Sequence, residues 1–155
     1  MREVDMVWWD VDGVLIVGAG FSARLPELGI RQEETAAFFH GPFQDCLIGR
    51  AQLADVLPPF LQEWGWSNGV NAFLKIWFDS ERTKNRVAWD WLQHLAQSRV
   101  PQYLATNQEA TRLQVLMDDI GLGTLVTGTL ASSELGARKP DPVYFARPAP
   151  LFGGT

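Results

Sequence analysis

The stretch Trp8-Trp9-Asp10-Val11-Asp12-Gly13-Val14-Leu15 sets two carboxylates two positions apart at the end of an apolar run, with a glycine directly behind them. In an extended strand, alternate side chains share a face, so Asp10 and Asp12 would point the same way if the strand continued. The glycine indicates that the chain turns there into a loop. In a parallel α/β sheet, the carboxyl end of the strands is where ligands bind. Two acids on a tight turn suit a divalent cation and covalent or acid–base chemistry, and they suit an apolar core poorly.

Working outward, residues 4–10 read as a buried strand, residues 100–106 as a second with Pro101 at its start, and Thr124 to Leu130 as a third. Between them lie helical patterns. Ala88, Trp91, Leu92, Leu95 and Ala96 repeat at i, i+3, i+4, i+7 and i+8; Leu113, Leu116, Met117 and Ile120 do the same before Gly121, a natural C-cap. Strand–helix–strand–helix–strand at these lengths predicts a parallel sheet with right-handed crossovers. Residues 16–80 break the rhythm with helical signals only, at Glu33–His40, Arg50–Leu57, Pro59–Trp64 and Gly69–Phe78. Pro59 suits a first helical position. The block is too long for one crossover and reads as an inserted helical cap over the sheet's carboxyl edge. The expected division is 1–15 with 81–155 as the α/β core, and 16–80 as the cap.

Composition narrows the class. The 155 residues are 46% hydrophobic and 20% charged, the balance of a globular chain with one sizeable core. A net charge of −5 argues against nucleic acid as a partner. No apolar stretch approaches the roughly 20 residues of a membrane span, and the N-terminus, with Glu3 and Asp5, lacks a signal-peptide pattern. With its single cysteine, Cys46, this reads as a cytoplasmic chain without membrane partners. Cys46 itself reads as a small buried side chain. Trp8, Trp9, Trp64, Trp66 and Trp77, five of the seven tryptophans, read as packing between cap and core. His40 and His94 read as packing or surface residues, Asp118-Asp119 as a solvated helix face, and Gly18-Ala19-Gly20 as a turn into the cap. Solvent is the expected destination of Arg24 and Arg50.

Two more features align with the aspartate turn. Thr106-Asn107 closes the second strand at the same sheet end, where a hydroxyl and an amide can donate to phosphate oxygens. After the third strand, Ser132-Ser133-Glu134-Leu135-Gly136-Ala137-Arg138-Lys139-Pro140-Asp141-Pro142 holds a lysine between a glycine turn and two prolines, placed to stabilise a phosphoryl group.

Together these residues resemble the haloacid dehalogenase-like (HAD) superfamily. Its Asp-x-Asp-Gly-x-Leu motif is matched at 10–15, its Ser/Thr after an apolar strand at Thr106, and its Lys-Pro-Asp/Glu element at 139–141. The segment Phe38 to Gly49 resembles sugar-phosphate phosphatase relatives of the branch with a small helical cap. The resemblance, over residues 4–145, implies a Rossmann-like core and Mg²⁺-dependent hydrolysis of a small phosphorylated metabolite. It makes Asp10 the nucleophile and Asp12 the acid and base, with Thr106, Asn107 and Lys139 holding the phosphate. Mg²⁺ would sit on the Asp10 carboxylate and the Asp12 backbone carbonyl. An acid at Asp12 disfavours carbon–halogen hydrolysis, whose enzymes generally lack one there.

The pattern departs from the family at its end. A fourth motif, one or two aspartates after a further strand, has no counterpart before Thr155, 16 residues past Lys139. Val143 to Ala146 starts like a helix that Pro148 ends. A frameshift or truncated gene is the simplest account; a natural short variant or a partial chain are the others. The expectation is a fold incomplete at its C-terminal flank, with Val4 to Trp9 as an exposed edge. Marginal stability or an edge-to-edge homodimer would follow, with reduced turnover or a binding role alone.

Overall fold

The computed structural model describes residues 5–148 and Phe152. Three parallel strands, β1 (Val7–Trp9), β2 (Gln102–Thr106) and β3 (Gly128–Ala131), form a sheet in the order β1-β2-β3. Val7 lies opposite Gln102 and Trp9 opposite Leu104, while Tyr103 lies opposite Gly128 and Thr106 opposite Ala131. The crossovers are helical, as the sequence periodicity requires: α6 (Arg86–Gln97) enters β2, and α7 (Ala110–Gln114) with a π turn over Val115–Asp119 leads toward β3. Gly121, at φ +91°, ends that helix in the left-handed conformation expected of it.

The third strand departs from the expected Thr124–Leu130. Leu122–Thr124 forms a 3₁₀ turn, and the amides of Leu125 and Val126 both return to the Leu122 carbonyl. Ladder pairing starts only where Thr127 N–H donates to the Gln102 carbonyl, at 2.7 Å. Apolar, β-branched composition alone could not show where that turn stops. Val4, part of the expected first strand, lies outside the described residues. Among those residues no strand pairs with the other edge of β1. Trp8 stays 37% exposed there, although the Phe152 ring packs 5.6 Å from it and 5.0 Å from Tyr103.

Between β1 and α6 the chain is an insertion of short helices. Two 3₁₀ segments (Phe21–Leu28 and Gln32–Thr35) precede α1 (Ala36–His40), α2 (Phe43–Leu47), α3 (Leu53–Val56), α4 (Pro58–Glu63) and α5 (Val70–Asp79). Pro58, and not Pro59, takes the first position of α4, where its missing N–H costs nothing. The segment from Arg50 to Gln52 precedes α3 and is not helical. Beyond β3 come α8 (Ser132–Leu135), ended by Gly136 at φ +62°, and α9 (Pro142–Ala146), capped by the Asp141 side chain.

Two apolar clusters result. The buried members of one all lie within 21–78 and include many rings, with Phe38 and Phe73 fully buried beside Trp64 and Trp77, and Val115 packs against it from outside that stretch. The other joins Val11, Leu15 and Ile16 to Trp89, Leu92, Leu104, Leu116 and Leu122. A polar node pins it: Gln102 donates to the Leu92 and Leu125 carbonyls and accepts from the Trp9 indole. One antiparallel bridge, Ile16 opposite Lys84, joins the two ends of the insertion, with Val17 N–H donating to the Thr83 carbonyl and Asn85 N–H to that of Leu15. No helix among the described residues is long and apolar enough to cross a membrane.

Candidate active site

β1 stops at Trp9 because the next residues fold back on themselves. The amides of Val14, Leu15 and Ile16 all point to the Val11 carbonyl, and Gly13, at φ +79°, makes the reversal possible. Val11 and Leu15 are fully buried beneath this loop. Anchoring them turns the flanking acids outward, so both Asp10 and Asp12 are about half exposed at the carboxyl end of the sheet.

Lys139 reaches this turn from the far end of the chain: its Nζ lies 3.0 Å from Asp10 Oδ1, which also accepts the Val11 N–H at 2.8 Å. Asn107, directly after β2, sets that lysine. Its Nδ2 donates to the Lys139 carbonyl at 2.9 Å and its Oδ1 accepts the Lys139 N–H at 2.8 Å. The amide thus spends one donor on backbone and acts as a positioning group for the ammonium. Thr106 is buried at the end of β2, two residues beyond Leu104, the partner of Trp9. Tyr144 is buried below, its hydroxyl donating to the Leu130 carbonyl; burial, with Asp10 nearby, pushes its pKa up.

Asp12 is held by groups that inspection of the sequence did not single out. Gln108 Nε2 donates to its Oδ2 at 2.5 Å, and Arg112 Nη1 reaches both carboxylate oxygens at 2.9 and 3.0 Å. Arg112 Nε lies 2.9 Å from Glu81 Oε2, at the exit of the insertion. One buried guanidinium therefore bridges the turn after β1 and the end of the helical segment. Glu109 caps α7, accepting from the Thr111 and Arg112 amides. Burial pushes both Glu81 and Glu109 above the usual carboxylate range, with Arg112 opposing the rise at each. Nothing local in the sequence marked Arg112, which stands on a helix one position before the apolar Leu113.

The remaining candidates stand apart from this cluster. Cys46 is buried, and desolvation lifts its thiol to about 11, which makes it a packing residue. His40, His94, Asp118, Asp119, Arg24 and Arg50 are exposed, with Arg24 paired to Glu27. Trp64 and Trp77 pack inside the insertion rather than across to the sheet, and Trp66 joins their cluster from its edge.

A half-exposed carboxylate against an ammonium, at the carboxyl end of a three-stranded parallel sheet under a helical insertion, defines a known architecture: the fold is that of the HAD hydrolases. A HAD family enzyme from Bacteroides thetaiotaomicron superposes with a TM-score of 0.80 over 99% of this chain and 81% of that one, at 16% identity. The same enzyme in complex with magnesium and inorganic phosphate gives 0.79 over 98% and 80%, at 17% identity. L-2-haloacid dehalogenase from Xanthobacter autotrophicus gives 0.63 over 99% and 66%, at 18% identity. No protein-family model matches the sequence, and no curated protein matches it.

Proposed function

We propose that this chain is a Mg²⁺-dependent phosphomonoesterase of the HAD type acting on a small phosphorylated metabolite, with residues 16–80 serving as a cap. The observation that carries the reading is the Lys139–Asp10 ion pair, closed between distant segments at the end of the sheet where ligands bind. Support comes from the likeness to a fold solved elsewhere with magnesium and inorganic phosphate.

Lys139 and the Val11 amide both engage Asp10 Oδ1, which leaves Oδ2 to attack phosphorus in line. The new bond gives an aspartyl-phosphate, the P–O ester bond breaks, and its electron pair leaves with the alkoxide. For the first step Asp12 has to enter protonated: it passes that proton to the alkoxide, is left as the carboxylate that Arg112 and Gln108 hold, and then takes a proton from the water that cleaves the acyl phosphate. Lys139 balances charge on the transferring group, and Thr106 lies at the same strand end to orient it. The Asp10 carboxylate and the Asp12 backbone carbonyl are hard oxygen donors that fit Mg²⁺, an ion that keeps several waters. When bound, the ion would neutralise charge on the phosphoryl oxygens. Among the described residues no group of three His, Cys, Asp or Glu side chains is placed to hold a metal ion. The dehalogenase reading is disfavoured, because Asp12 stands where carbon–halogen hydrolases generally lack an acid.

Hydrolysis of para-nitrophenyl phosphate with Mg²⁺, run beside Asp10→Asn, tests this. The substitution should remove roughly a thousandfold or more of the rate, and chelation should suppress what the native chain shows. Equal rates for the two proteins would leave only the alternative, a chain that binds without turnover.

A further inference from the structure

The Asp12 side chain is 56% exposed, yet its carboxylate is fixed from behind by a buried pair. Arg112 Nη1 lies 2.9 and 3.0 Å from the two carboxylate oxygens and 3.1 Å from Gln108 Oε1, while Gln108 Nε2 donates to Asp12 Oδ2. The guanidinium therefore acts twice. It grips the carboxylate directly, and by donating to Gln108 Oε1 it turns that amide so that a donor, not a second acceptor, faces Asp12. Oδ2 takes both neighbours. Oδ1 takes Arg112 alone and keeps a lone pair for another proton.

Arg112 is itself held on every side. Its backbone amide donates to Glu109 at the start of α7, and its side chain is only 8% exposed. Its Nε lies 2.9 Å from Glu81 Oε2, and Glu81 Oε1 accepts the Phe21 amide at 3.4 Å. Phe21 opens the first helical segment of the insertion and Glu81 follows the last, so one carboxylate gathers both ends. Nη2 is buried with no partner among the described residues, so the guanidinium acts through Asp12, Gln108 and Glu81.

Resting on the phosphatase reading, we propose that Arg112 is the positioning residue of the second half-reaction. It sets Asp12 Oδ1 as the base that activates water, and through Glu81 it ties that setting to the seated insertion. In this step the water oxygen bonds to the phosphorus of the aspartyl-phosphate and its proton passes to Asp12 Oδ1. The acyl P–O bond breaks, its electron pair returns to the Asp10 carboxylate, and inorganic phosphate leaves. A carboxylate free to rotate would lose the alignment that makes such a base effective.

Stopped-flow hydrolysis of para-nitrophenyl phosphate with Mg²⁺, by the native chain, Arg112→Lys and Glu81→Gln, tests this. Nitrophenolate departs without needing a proton, so kcat/KM follows formation of the aspartyl-phosphate, and a block in its hydrolysis shows in kcat alone. Arg112→Lys keeps the charge, but an ammonium cannot serve Asp12, Gln108 and Glu81 together as the planar fork does. It should lower kcat about thirtyfold, leave kcat/KM within about threefold, and give a burst of about one nitrophenolate per chain. Glu81→Gln should show the same split, about three- to tenfold in kcat, and it decides alone if Arg112→Lys does not fold. A joint fall of kcat and kcat/KM without a burst would make Arg112 a structural tie and overturn the proposal; so would kinetics unchanged in both variants. The phosphatase reading fails separately, through native and Asp10→Asn chains that hydrolyse the ester at equal rates.

Discussion

Residues 21–78 bury their rings against one another within a single stretch of chain, whereas the sheet core joins Val11, Leu92, Leu104 and Leu122 across most of the sequence. In the insertion, Phe38 meets Phe39, Phe60 and Trp64 at 5.2, 5.3 and 5.9 Å, all within 26 positions of it. In the sheet, backbone pairing and the Gln102 node tie together strands with long crossovers between them. The insertion's core is thus built from local contacts, whereas the sheet's core depends on contacts between distant segments. The charged groups of the candidate site gather where the two meet, through Arg112 and Glu81.

The comparison breaks most visibly at the two cores. Phe38→Ala should cost about 3–5 kcal/mol, and amide exchange should lose protection across 21–78 while residues 102–106 keep theirs. Leu104→Ala should cost about 2–5 kcal/mol and loosen β1, β2 and β3 together. Exchange that rises equally everywhere in the Phe38→Ala protein would show one cooperative unit in place of two.

A smaller effect is expected where the insertion docks. Gly49, at φ +74°, follows α2 and lies against the Ser133 carbonyl; an added Cβ would sit 2.2 Å from that oxygen. No side chain fits without the backbones parting. Nearby, Arg138 donates to Gln44 across the same seam. Gly49→Ala should cost about 1–3 kcal/mol and should reduce kcat/KM by displacing the insertion from Lys139's segment. Unchanged stability and kinetics would mean that this seam is loose.

Much of the sheet was legible in the sequence because its signals are periodic and local. That α6 is a helix, the glycine after Ile120 and the turn at Gly13 are each set by neighbours in the chain; the buried face of α6, however, runs through Trp89 and Leu92, while Trp91, expected on it, is 58% exposed. That Lys139 and Asp10 would meet was legible for a different reason, since the resemblance to the HAD motifs puts both at one phosphate site. What stayed hidden depends on distant partners. That Asn107 would serve the Lys139 backbone depends on a loop 32 residues away. Arg112 looked like one more charge on a helix, and only the fold carries it 100 residues back to Asp12. The start of β3 was hidden because Thr124 to Leu130 is equally apolar inside and outside the ladder, and pairing decides the boundary.

The smallest effect concerns Glu109, whose carboxylate is buried while it caps α7. Its folded pKa is raised above the ordinary 4.5, chiefly by desolvation. Between that ordinary value and the raised one, the folded chain binds more protons at this site than the unfolded chain does. The unfolding free energy must then fall as pH rises through the window, and level off above it. Below the ordinary value both states are protonated and the penalty is absent. Glu109→Gln keeps an acceptor oxygen for one of the two amides, which the carboxylate serves with separate oxygens, and removes the ionisation; the lost bond is a pH-independent offset in the comparison. Denaturant unfolding of the two proteins from pH 4 to pH 8 isolates the contribution as a difference curve. The native chain should lose stability relative to Glu109→Gln as pH climbs through the window. A curve of the opposite slope would mean that the amides and Arg112 outweigh burial, and that the seam holds Glu109 as a settled anion.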